Sequence, residues 1–130
     1  MVERFKVRVT KDHLVFCAGH FISYEGDKCE RLHGHNYRTT VEIEGDLNED
    51  SYVFDFIALK HRTKAITDEL DHHMLLPIEN TTAELLARYI AERLREELWR
   101  QHQYAAPILR VEVEENIGQS ATCELRPDIA

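Results

Sequence analysis

The chain has 130 residues, 43% of them hydrophobic, enough for one domain whose core needs no covalent staples. Its formal charge of −8 excludes nucleic acid and anionic membrane as main partners, because neutralising phosphates takes a basic face; a small anionic substrate stays compatible where basic groups gather locally. Cys17, Cys29 and Cys123 are an odd, scattered set that argues against a disulfide framework. With no signal-like or bilayer-length apolar run, the expectation is a single cytoplasmic domain over 1–130.

Phe5, Val7 and Val9 alternate with Lys6, Arg8 and Thr10, the pattern of a half-buried strand. Lys11-Asp12-His13 interrupts it, and Leu14, Phe16, Ala18 and His20 then share the next parity, which sets an imidazole at the end of an apolar strand. Phe21 to Arg31, with Gly26 and Asp27, reads as a loop that delivers Cys29. From His33 to Glu44 the odd positions run His33, His35, Tyr37, Thr39, Val41 and Ile43, so both histidines share the face of the later apolar residues. Gly45 to Ser51 is an acidic, turn-rich surface loop.

Asp55 is suited to cap a helix whose Leu59, Thr63, Ile66 and Leu70 recur at three- and four-residue steps, ending near Asp71-His72-His73. Thr81-Thr82-Ala83-Glu84 resembles a capping box ahead of a second helix with the stripe Leu86, Ile90, Leu94 and Leu98. Ile108 to Glu114 alternates again, and Ser120 to Leu125 offers a last short strand. The order strand, strand, helix, helix, strand, strand predicts an α+β fold, an antiparallel sheet with both helices on one face.

Three groups of residues could do chemistry. His20, His33 and His35 are three neutral imidazoles able to hold zinc at about 2.0–2.1 Å with the fourth position open for water or substrate. Cys29 either works beside the metal as a thiolate or fills that position, which would make a closed structural site. Asp71 beside His72 can fix the imidazole's tautomer and tune it for proton transfer, or simply end a helix in a polar manner. Glu115 shares the parity of Val111 and Val113 and could accept two hydrogen bonds from a planar N–H pair, on a ligand or on one of the chain's arginines.

Phe16-Cys17-Ala18-Gly19-His20, Cys29-x3-His33-Gly34-His35-Asn36-Tyr37, Leu70-Asp71-His72, Thr81-Thr82-Ala83-Glu84 and Val111-x-Val113-x-Glu115 together resemble the 6-pyruvoyl-tetrahydropterin synthase family, whose bacterial members include 6-carboxy-tetrahydropterin synthase of queuosine synthesis. The resemblance runs in order over nearly the whole chain. It implies the tunnelling fold, four antiparallel strands and two helices per subunit (ββααββ), with trimers closing a barrel and pairing into homo-hexamers.

It further implies a zinc-dependent lyase acting on dihydroneopterin triphosphate, yielding 6-carboxy-tetrahydropterin or a related 6-substituted tetrahydropterin. His20, His33 and His35 would hold Zn2+ and Cys29 would abstract the proton. Asp71 and His72 of a neighbouring subunit would form the acid–base relay. Glu115 would grip the pterin N–H edge, with Thr81 and Thr82 near the ring. Lys28 and Arg31 flank the motif as basic groups for the triphosphate. Two departures stand out: Asn116 occupies a position that is commonly threonine, and Glu30-x2-His33 overlaps the cysteine frame. Relatives with that glutamate frame make 6-hydroxymethyl-dihydropterin for folate synthesis, so Glu30 is an alternative catalytic residue or an ordinary loop carboxylate.

Overall fold

The computed structural model describes residues 1–10, 14–20, 23–24, 28–29, 33–72 and 80–128, and at positions 20, 23, 24, 28, 29 and 33 it describes the main chain. Glu30, Arg31 and His73 lie outside the described residues.

The strands follow the alternations in the sequence: β1 (Phe5–Val9), β2 (Val15–His20), β5 (His33–Gly45), β6 (Ile108–Asn116) and β7 (Gln119–Leu125) build one antiparallel sheet. A separate two-stranded ribbon, β3 (Ser23–Tyr24) with β4 (Lys28–Cys29), occupies part of the stretch expected as loop, with Ser23 opposite Cys29. The antiparallel sheet with two helices is borne out, but the sheet has five strands rather than the four expected: β1 and β2 are two lengths of one broken row against the 13-residue β5. Val9 pairs with Val41. Continued, that ladder would set Val15 opposite His35, yet Val15 stands opposite Arg38, three residues along. Because the shift is odd and side chains alternate, the inward parity changes from odd in β1 to even in β2.

Helix α1 (Phe56–Leu70) begins where the Asp55 carboxylate accepts from the Ile57 amide at 3.1 Å, as the sequence suggests. Helix α2 (Ala83–His102) departs from the expected cap. Thr82, not Thr81, is the N-cap, its hydroxyl accepting from the Leu85 amide at 3.2 Å. Glu84 therefore falls one place short of closing a reciprocal box, and instead favours the positive end of the helix from the first turn.

Both apolar stripes are buried as expected. Leu59, Thr63, Ile66 and Leu70 of α1 and Leu86, Ile90, Leu94 and Leu98 of α2 meet Phe16, Tyr37, Val41, Ile43, Leu109, Val111 and Val113 on one face of the sheet. Phe16 and Tyr37 stack at 4.9 Å across β2 and β5, fixing the part of the core that underlies the histidine-bearing strand ends. Arg93 of α2 grips Glu69 of α1 with both terminal nitrogens, at 2.7 and 3.1 Å, and donates to the Tyr89 hydroxyl at 3.0 Å. In the acidic link, the Asn48 side chain accepts from the Asp50 and Tyr52 amides, a self-contained surface turn in line with the sequence.

Candidate active site

The β2–β5 ladder brings the histidine positions together. His20 is the register partner of His33, and His35, two residues along β5, faces Ala18. Antiparallel partners and residues two apart on a strand share one face, so positions 20, 33 and 35 occupy neighbouring places on the same side of the sheet. That backbone arrangement fits a three-imidazole metal set. Of the three side chains only that of His35 is described, and it is half-buried, edge-on to the Tyr37 ring at 5.5 Å.

His35 meets the predicted carboxylate. Its Nε2 lies 3.2 Å from Glu115 Oε1, so the strand end of β5 and the far end of β6 converge on one point. Glu115 reaches it through a break in pairing. The β6–β7 register passes from Glu114 opposite Ser120 directly to Asn116 opposite Gln119, leaving Glu115 as the extra residue of a bulge. The hairpin closes through Gly118 at φ 81°, a left-handed conformation that glycine adopts without penalty. A cavity of about 300 Å³ opens here, lined by His35 and Glu115 together with Asn36, Arg38, Glu114 and Asn116. Asn116, the position that departs from threonine, sits on its rim.

The second predicted pair is also made. Asp71 caps the C-terminus of α1, and its Oδ2 lies 2.9 Å from His72 Nδ1. The imidazole is 82% exposed and its residue has φ 61°, the left-handed region, uncommon for a side chain with a Cβ. Asp71 titrates below the usual carboxylate range, chiefly because the Cys17 amide donates to it, with the neighbouring imidazole adding to the effect.

The remaining predicted residues divide as follows. Thr81 is buried at the entrance to α2, and the Thr82 hydroxyl is engaged in capping. Cys29 is placed only by its main chain in β4, and Glu30 lies outside the described residues. Cys17 is exposed, and Cys123 is half-buried with its thiol pushed up by that burial, which disfavours a thiolate in β7. What sequence reasoning misses is the role of the Cys17 main chain, which binds both Asp71 and His72; a backbone group leaves no mark in a pattern of side chains.

Among curated proteins, the chain is similar to a putative 6-carboxy-5,6,7,8-tetrahydropterin synthase of Pyrococcus horikoshii, 33% identical, with 70% of this chain and 74% of that protein covered. It is likewise similar to a dihydroneopterin monophosphate aldolase of Pyrococcus furiosus, 39% identical over 64% of this chain and 71% of that protein. A solved structure of Plasmodium vivax 6-pyruvoyltetrahydropterin synthase, with a catalytic glutamate replaced by alanine, superposes with a TM-score of 0.85 at 23% identity and covers 97% of this chain and all of that one. This likeness establishes the fold. The family model described as 6-pyruvoyl tetrahydropterin synthase matches residues 8–126, and the chain belongs to that family.

Proposed function

We propose that the protein is a zinc-dependent lyase that converts dihydroneopterin triphosphate to 6-carboxy-tetrahydropterin. The observation that carries this reading is the approach of Glu115 to His35 at 3.2 Å on the rim of one cavity, a ring-binding carboxylate beside a metal-binding imidazole. The relative of that name in Pyrococcus horikoshii supports the product assignment.

His20, His33 and His35 would hold the zinc, which when bound supplies a Lewis acid for side-chain oxygens of the substrate. Glu115 accepts two hydrogen bonds from the planar N–H edge of a pterin and so fixes the ring relative to His35. Cys29 removes a carbon-bound proton as its thiolate, and the imidazole of His72, oriented by Asp71, carries a proton to or from the opposite side. The subunits assemble as a homo-hexamer, in which Asp71 and His72 serve a neighbouring copy's cavity.

Incubation of the purified protein with dihydroneopterin triphosphate should give 6-carboxy-tetrahydropterin. Cys29→Ala should retain near-normal zinc while turnover falls by about 10²–10⁴, the range for removing a positioned base. Sharp loss of zinc in that variant would instead mark Cys29 as a ligand of a closed site.

A second reading rests on the Pyrococcus furiosus aldolase and on the catalytic glutamate of the Plasmodium vivax protein. Here Glu30 acts as base and the product is 6-hydroxymethyl-dihydropterin. Formation of that product by Cys29→Ala, and its disappearance in the additional variant Glu30→Gln, would establish it as a second activity.

A further inference from the structure

We propose that Cys17 is a positioning residue for the Asp71–His72 pair, acting through its main-chain N–H and C=O rather than its thiol. Among the described residues, strand β2 is paired with another strand, β5, along one edge only. At Cys17 both polar backbone groups are used on the other edge: the N–H donates to Asp71 Oδ1 at 2.7 Å, and the carbonyl accepts from the His72 N–H at 2.6 Å. In an antiparallel ladder, residues alternate between directing both groups at the partner strand and directing both away, so Cys17, opposite Asn36, is of the second kind. Residues 71–72 thus dock on the outer edge of β2 as a single rung of sheet.

The rung explains three features at once. It holds His72 in the left-handed region, which the chain would otherwise avoid. It divides the two carboxylate oxygens of Asp71, one to the Cys17 amide and one to His72 Nδ1, so the carboxylate cannot rotate away from the ring. It also leaves Nε2 as the nitrogen that a substrate proton can reach, since Nδ1 is engaged and the imidazole projects outward. Three residues beyond Cys17 the same strand ends at His20, opposite His33, so one short strand sets both the relay and part of the predicted metal set.

The inference rests on the acid–base reading of His72 given above, and the test separates the two. Cys17→Pro deletes the donated N–H at an outward position of an edge strand, where proline is tolerated, whereas Cys17→Ser keeps both backbone groups. In each, the tautomer of neutral His72 is read by 15N NMR without substrate, and kcat and KM are measured alongside.

The expected result is one dominant Nδ1–H tautomer in wild type and Cys17→Ser. In Cys17→Pro we expect a tautomer mixture, with kcat about tenfold lower and KM within about twofold. An unchanged tautomer in Cys17→Pro overturns the inference. A mixed tautomer with full turnover upholds the anchoring and overturns the acid–base role of His72. If the proline variant does not fold, hydrogen exchange decides: Asp71→Ala should speed exchange of the Cys17 amide about tenfold or more, and no change there overturns the proposal.

Discussion

The ion pair between Glu69 and Arg93 shows how a single residue reports on pH. The guanidinium donates both nitrogens and holds the Glu69 carboxyl below its ordinary value. A carboxyl depressed in the folded protein stabilises it above the unfolded-chain value of about 4.3, and that contribution is lost as pH falls through the depressed folded value. Since both side chains are partly exposed, Glu69→Gln should cost only about 0.5 kcal/mol at neutral pH and low salt, and nothing in strong acid. Urea unfolding of both proteins at the two pH extremes checks this.

The cysteines give a second residue-level expectation. In a Cys29→Ala background a maleimide at neutral pH should modify the exposed Cys17 before Cys123, whose thiol is half-buried and pushed up by that burial. Peptide mapping reads the order, and the reverse order would contradict the burial of β7. Of the chemical groups, the shared face of positions 20, 33 and 35 and the Asp71–His72 pair were legible, because spacing and parity set which positions lie side by side. The amide of Cys17 and the meeting of Glu115 with His35 were not, because both depend on how distant strands are set against each other.

Among the elements, α2 carries the larger buried stripe and the cap at Thr82. Thr82→Ala should cost about 1 kcal/mol, the usual value of a lost N-cap. Leu94→Ala, with its side chain wholly enclosed, should cost about 2–5 kcal/mol. Denaturant midpoints for the two variants should therefore differ clearly, and equal losses would mean that the stripe collapses without leaving a cavity. Periodicity located α1 to within a residue or two and the start of α2, whose end at His102 lies one turn past the stripe. It misplaced the cap because Thr81 and Thr82 are equally good acceptors on paper; burial of Thr81 decides between them. The break between β1 and β2 was visible as a change of parity, but the odd register shift behind it is a property of the pairing with β5.

For the molecule as a whole, the sheet ends in β1 and β7, each with one edge unpaired among the described residues. Such edges invite another strand, and the proposed homo-hexamer would cover them by joining copies edge to edge. Light scattering should therefore give a mass near six times the 15.3 kDa chain; a monomer would leave the proposed site without the neighbouring Asp71 and His72. No helix among the described residues is long and apolar enough to cross a membrane.

The bulge at Glu115 separates two demands that a regular hairpin would bind together. In an unbroken ladder every side chain has a cross-strand neighbour, so any change in β7 would be felt by the residue facing it. Glu115 has no residue facing it on β7. The last strand can therefore vary in composition, altering how firmly the sheet edge holds, while the carboxylate keeps the same surroundings. A flat ring lying against it would share the carboxylate with His35, not with a side chain of β7.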